Sequence, residues 1–448
     1  MNPARRELSA FDIGCVVVGG IIGVGIFFTP QKVAAKVDAE WQVMLAWGLG
    51  GVLAVLGAIV FAELSQLVPG HGGTFRYLER AFGRTTAFLY GFANWLVIQS
   101  GAAGIVGLIL CNYLEIVVAP AAPWSETAKV LGSAAAILVF TAINVVGLRT
   151  GKRVQNALTV TKVLALVFLI ALAFCKPAVA GAPAEPPPPS GQSLVAMLAA
   201  AMLPVLFATG GWQQGSFVAG AARHPRSVPL GILGGVAVVV VVYMSVNLAY
   251  LGLLGFDKAR TSNAIGAAAA EVVLGPVGGR VLAAMVVVSA AGILNTICLA
   301  PPYVLLAMAE QGCMPAAFAR LHPRWQTPVV GVLGQGLWSV LLLLGVHVGA
   351  SLASSAATQD TLGFVCDSVV YADWLFYMLC GAAVLVLRRR GVSRGGALGS
   401  TAAFGFTLGA ALVMVGAIYA MPAASLLGTG VIVLGWFARR WLGSAVKI

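Results

Sequence analysis

Two glycine clusters and one lysine are the residues of this chain best able to do chemistry. The first cluster is Gly19-Gly20-Ile21-Ile22-Gly23-Val24-Gly25. The second lies within Phe207-Ala208-Thr209-Gly210-Gly211-Trp212, with Pro204 just ahead of it. Each glycine weakens a helix by about 1 kcal/mol relative to alanine, so both stretches predict backbone that leaves helical pairing. Amides freed at a helix N-terminus attract a carboxylate, and carbonyls freed at a C-terminus attract an ammonium. One zwitterion can satisfy both. The competing reading is close helix packing, as at Gly231 and Gly235. A nucleotide-binding loop would need a preceding strand and, for a P-loop, a Gly-Lys-Ser/Thr ending; neither is present.

The elements that hold these residues are membrane spans. Of 448 residues, 60% are hydrophobic and 9% charged, too few charges to cover a water-facing surface. Long apolar runs recur from end to end and predict an all-α membrane protein. Twelve transmembrane helices are expected, near residues 10–29, 42–68, 86–115, 130–147, 154–175, 194–218, 229–254, 278–308, 328–348, 361–387, 398–420 and 425–442. The glycine clusters interrupt the first and the sixth. These would open two five-helix units of opposite orientation, the arrangement in which broken spans mark a binding site near the middle of the bilayer. The units are residues 1–176 and 194–390, joined by a Pro-rich extracellular linker at 177–193 and followed by two peripheral helices at 391–448. Arg5-Arg6 before the apolar stretch from Ala10 imitates a secretory leader. Without an A-x-A-like cleavage site it is read as a retained helix.

Charge placement orients the spans. With both termini cytoplasmic, nineteen basic residues fall on inside segments and seven on outside ones, Lys162 lying within a span. That asymmetry selects a multi-pass protein of the cell (inner or plasma) membrane, its partner surface the lipid bilayer. The net charge of +12 therefore reads as topology. No basic face interleaved with aromatics exists for nucleic acid to bind.

Lys162 sits roughly 12 Å into the fifth span, at 1.5 Å of rise per residue. An ammonium at that depth either faces a partner inside the protein or snorkels to the cytoplasmic end. Asp367 and Asp373 in the tenth span and Glu63 near the inner end of the second are possible proton-coupling groups, with a structural helix contact as the alternative. Asp12 reads as a helix N-terminal charge. The seven cysteines form no C-x-x-C pair and the four histidines are scattered, so no metal or other cofactor is expected. Neither a clustered nucleophile–base pair nor H-E-x-x-H occurs, and an enzyme is not expected.

Four ordered motifs resemble one family. Gly19 to Pro30, GGIIGVGIFFTP, resembles the first-helix signature G-[ST]-x-I-G-[SA]-G-I-F of the amino acid–polyamine–organocation superfamily. Phe207 to Trp212, FATGGW, resembles FAYGGW of its L-type amino acid transporters, and Val154 to Lys162 resembles their V-Q-x-x-x-T-x-x-K. Leu305 to Pro315 is similar to the stretch ending A-R-D-G-x-x-P; beyond these four the likeness weakens past about residue 330, where Asp373-Trp374-Leu375 resembles N-W-L. The resemblance implies a LeuT-type 5+5 inverted repeat with broken helices 1 and 6. It assigns the substrate site to Ile21, Ile22, Gly23, Val24, Gly25, Phe207, Ala208, Gly210 and Trp212. Amides of Val24 and Gly25 would meet a carboxylate, carbonyls of Ile21, Phe207 and Gly210 an ammonium, and the Phe207 ring would gate. Lys162 would stand where sodium-coupled relatives hold sodium, with Ser289 as its polar neighbour. Departures are Gly20 for the usual Ser/Thr, Val24 for a small or hydroxyl residue and Thr209 for the aromatic.

The implied activity is alternating-access secondary transport of amino acids, sodium-independent, by exchange or with a proton. Neutral substrates are expected because no acid is placed beside the broken segments in sequence. A polyamine or cationic amino acid antiporter is the alternative. No accessory subunit is indicated.

Overall fold

The computed structural model describes residues 7–120, 122–176, 191–262, 264–352, 358–392 and 396–445. The first half holds α1 (Ala10–Ile21), α2 (Thr29–Ala34), α3 (Glu40–Leu67), α4 (Thr74–Phe82), α5 (Arg84–Ala93), α6 (Ser100–Val118), α7 (Glu126–Val145) and α8 (Leu148–Cys175). Then come α9 (Leu194–Thr209), α10 (Gln214–Phe217), α11 (Ser227–Thr261), α12 (Ile265–Leu274), α13 (Gly278–Leu299) and α14 (Pro302–Glu310). The chain closes with α15 (Val329–Leu352), α16 (Thr358–Arg389), α17 (Ala397–Ala420) and α18 (Pro422–Ala445). No strand occurs among the described residues beyond an isolated bridge from Leu8 to Ala222. Among the described residues, eleven stretches are long and apolar enough to cross a membrane, and α1 is a shorter apolar helix. Val241, Leu341 and Leu412 are each at least 60% exposed, an outward apolar surface that only lipid makes stable. The chain is an all-α, multi-span membrane protein. The Pro-rich stretch falls largely outside the described residues.

Both interruptions lie at the glycine clusters. Helix α1 begins at a capping box, Asp12 N donating to Ser9 Oγ at 3.2 Å and Ser9 N to Asp12 Oδ2 at 2.8 Å. It stops at Ile21; the chain then crosses to a 3₁₀ turn, Gly25–Phe27, before α2. Helix α9 ends at Thr209 and helical backbone resumes only in the four residues of α10. The eighth span, expected unbroken at 278–308, divides between α13 and α14 at Ala300-Pro301, where two consecutive prolines, Pro301 and Pro302, lack amide donors. The third span carries a π-helical turn, Asn94–Gln99, between α5 and α6. Helix α4 lay outside the expected spans because Arg76, Glu79 and Arg80 break any apolar run, although Phe75, Tyr77, Leu78 and Ala81 bury one face.

Candidate functional site

The broken spans touch at Gly20 and Gly211. Gly211 has φ +129°, and a Cβ there would lie 2.8 Å from the Gly20 carbonyl oxygen, so only glycine fits. Beyond α1, the amides of Val24, Gly25 and Ile26 meet no protein acceptor among the described residues. The carbonyls of Phe207 and Gly210, at the end of α9, likewise meet no donor. Gly25 lies against the other break: a Cβ on it would stand 3.4 Å from Ala208 Cβ and 3.7 Å from the Phe207 ring. The segment carrying the freed donors thus packs against the end of the helix that carries the freed acceptors.

Other released carbonyls are already occupied. Tyr243 of α11 places its hydroxyl 2.9 Å from the Ile21 oxygen and 3.1 Å from that of Ala208, sharing one proton between the two breaks. Ile21, expected to face an ammonium, is therefore held by a tyrosine. Lys162 is 2% exposed and donates to the Gly19 carbonyl at 2.9 Å and to the Ile22 carbonyl. Ser289 Oγ donates to the same Ile22 oxygen at 3.2 Å. Lys162 does not snorkel. A Cβ on Gly292 would come within 3.0 Å of its Nζ, so α13 leaves room for the ammonium by carrying glycine there. Gly23 packs on Ile293 of the same helix, where a Cβ would overlap the side chain.

Two cavities flank Phe207. The larger, ≈620 Å³, is lined by Phe28, Lys32, Lys36, Pro204, Phe207 and Trp374 among others. The smaller, ≈150 Å³, is walled by Gly20, Gln99, Phe207, Gly210, Asp373 and Tyr377 among others. Phe207, Val370 and Trp374 belong to both, and the Phe207 ring stands 6.2 Å from that of Phe28. The partition between the cavities therefore includes the side chain expected to gate. Trp212 lines neither cavity. It is fully buried in an aromatic cluster behind the wall, its ring 5.4 Å from Tyr377 and 6.1 Å from Trp374 and from Phe406.

The three candidate acids separate. Glu63 forms a bidentate pair with Arg388, Nε to Oε1 at 2.8 Å and Nη2 to Oε2 at 2.7 Å, clamping the second span to the tenth. Both carboxylate oxygens are thus committed to one guanidinium. Asp367 falls on α16, and its side chain is not among those described. Asp373 lies in the wall of the smaller cavity; its Oδ2 accepts from Tyr377 Oη at 3.2 Å, and its buried Oδ1 has no partner. An acid does therefore stand beside the broken segments, brought there by the tenth span, contrary to the sequence expectation. Asp12, with Lys152 at 3.0 Å and Asn156 at 2.7 Å, is a helix-start group as expected.

Several site residues carry little signal in the sequence. Tyr243 in an apolar run resembles any packing aromatic. Gln99 and Gln214 are intramembrane amides, and that polarity at span depth was the available clue. Gln214 Nε2 donates to Gln99 Oε1 at 3.2 Å, and Gln99 Nε2 to Asn94 Oδ1 at 3.2 Å, a relay built on the π turn.

Fold and site together define a polytopic helical membrane protein in which two interrupted spans meet beside a cavity. The chain belongs to the amino acid permease family, whose model matches residues 8–438. It is 28% identical over 396 residues to the serine/threonine exchanger SteT of Bacillus subtilis (strain 168), covering 87% of this chain and 85% of that one. It is 27% identical over 390 residues to b(0,+)-type amino acid transporter 1 of Homo sapiens, covering 86% and 76%. It is 27% identical over 395 residues to large neutral amino acids transporter small subunit 2 of Homo sapiens, covering 86% and 70%.

Proposed function

We propose that the chain is an alternating-access secondary transporter of amino acids, sodium-independent, working by exchange or with a proton. The observation that carries this reading is the meeting of the two breaks. Unpaired amides at Val24 to Ile26 and unpaired carbonyls at Phe207 and Gly210 are complementary to the two ends of an α-amino acid. Orphaned backbone groups at this depth are tolerable where a ligand completes them.

Sodium independence rests on Lys162. Its ammonium already fills the Gly19 and Ile22 carbonyls, with Ser289 on the same oxygen, so a fixed charge takes the place of a mobile one. Residues 1–176 and 194–390 form the two inverted units in this reading, with 391–448 peripheral. Both termini lie in the cytoplasm and the protein resides in the cell membrane. Phe207 opens and closes the passage between the cavities.

The test is uptake of labelled amino acids into proteoliposomes, with amino acid or buffer inside, with and without a pH gradient, and in sodium or choline salts. Uptake stimulated by internal amino acid or by a proton gradient and indifferent to sodium is the expected result. Absence of uptake and of binding for all twenty amino acids refutes the reading.

A further inference from the structure

The smaller cavity has a chemical bias that its backbone groups do not explain. Three of its lining residues each carry a buried oxygen without a protein donor among the described residues: Asp373 Oδ1, Gln213 Oε1 and Gln214 Oε1. Gln213 and Gln214 are 3% and 6% exposed, so water does not serve them from a surface. The amide relay spends its donors elsewhere, Gln214 Nε2 on Gln99 and Gln99 Nε2 on Asn94. Tyr377 gives its one hydroxyl proton to the other oxygen of Asp373. Asp373 is the only carboxylate among the described lining residues, and no lysine, arginine or histidine joins it. The nearest buried cation of the first break, Lys162, is committed to Gly19 and Ile22. Each unmet acceptor in such surroundings is costly, and a carboxylate most of all. What the wall lacks is a multivalent, positively charged donor.

We propose that Asp373, assisted by the Gln213 and Gln214 oxygens, recognises a second ammonium on the substrate, so that the site takes amino acids with a cationic side chain. This rests on the amino acid transport reading, in which the backbone groups of the two breaks hold the α-carboxylate and α-ammonium. Asp373 comes from a different helix, α16, and is free to meet a side chain. An ammonium offers three donors, matching one carboxylate oxygen and two amide oxygens. An apolar side chain of equal length would leave all three unmet.

L-Lysine and L-norleucine make the decisive comparison, because they share chain length and differ by the terminal ammonium. Thermal unfolding of the purified full chain in detergent is measured against each, followed by competition for uptake in proteoliposomes. Lysine is expected to bind about 10- to 100-fold more tightly, the range of one charge-assisted contact set in a desolvated site. Asp373→Asn is expected to reduce the lysine-to-norleucine ratio by a similar factor, while Asp373→Glu keeps it above one. Norleucine equal to or better than lysine with the wild-type protein overturns the proposal and leaves amino acid transport standing. An unchanged ratio in Asp373→Asn, or equal loss of both ligands, also overturns it, the latter placing Asp373 at the α-ammonium or in proton coupling. Stabilisation by no amino acid at all refutes the transport reading and this one with it.

Discussion

Replacing Lys162 with methionine keeps most of the side-chain volume and removes the ammonium. Two carbonyls, of Gly19 and Ile22, then lose their donor inside the bundle; only Ser289 remains, on Ile22. An orphaned buried acceptor costs about 1–3 kcal/mol, and part of that is returned because methionine has no charge to desolvate. A net destabilisation of ~2 kcal/mol of the ordered break follows. If the tethered break is the binding-competent form, that shift lowers its equilibrium constant about 30-fold and raises the apparent Kd by up to that factor. The assay is initial uptake in proteoliposomes at matched protein incorporation, with thermal unfolding run alongside to verify folding. Lys162→Met should slow uptake by more than tenfold, and wild-type rates should be the same in sodium and choline. Uptake by Lys162→Met within twofold of wild type, or sodium stimulation of the wild-type protein, would refute the fixed-cation argument.

Three other sites give sharp expectations. Gly211→Ala puts a Cβ 2.8 Å from the Gly20 oxygen at φ +129°, so a loss of at least about 2 kcal/mol and of uptake is expected by unfolding and transport assays. Gly234→Ala, where a Cβ meets nothing within 4 Å, is its control. Tyr243→Phe strips the shared donor from Ile21 and Ala208 and should cost about 1–3 kcal/mol, with substrate affinity falling while expression is retained. His71, in the segment between α3 and α4, stacks 4.8 Å from Tyr303; burial, then the nearby Arg76 charge, pushes its pKa down to about 4. The unfolded chain then binds this proton more readily, so stability is whole above about pH 6.5 and declines as pH falls toward 4, by at most about 3 kcal/mol. Wild type should lose stability relative to His71→Phe as pH falls through that window; parallel curves would remove His71 as the cause.

Where a feature is a local property of the chain, the sequence displayed it. The interruptions of the first and sixth spans follow from glycine and proline, residues whose effect on helix pairing needs no tertiary partner. The membrane class follows from apolar length alone. The depth of Lys162 was readable too, but its contacts were not. Snorkelling and inward pairing differ by a rotation about the helix axis, and the glycine that admits the ammonium, Gly292, belongs to another span. Helix α4 escaped because it is not an apolar run, and the π turn because it lies inside one, where the apolar pattern does not report a local change of helical pairing. Tyr243 escaped because a tyrosine bonding two carbonyls and one merely packing have the same neighbours in sequence.

The acids show why residue type cannot assign function inside a membrane. Glu63 and Asp373 are both carboxylates in apolar spans, and each entered with the same two readings. Glu63 meets Arg388, 325 residues away, and both of its oxygens are satisfied; the charge is used to join helices. Asp373 meets only Tyr377, one turn along its own helix, and one oxygen is left over beside a cavity whose amides also lack donors. Successive helical residues turn by about 100°, so a single-residue change of register would carry that oxygen out of the wall. Counting which donors and acceptors remain unmet, rather than which residues are charged, separates a clamp from a recognition site. By that count one unmatched carboxylate stands at the interrupted spans among the described residues, and a substrate bearing a second positive charge is what would match it.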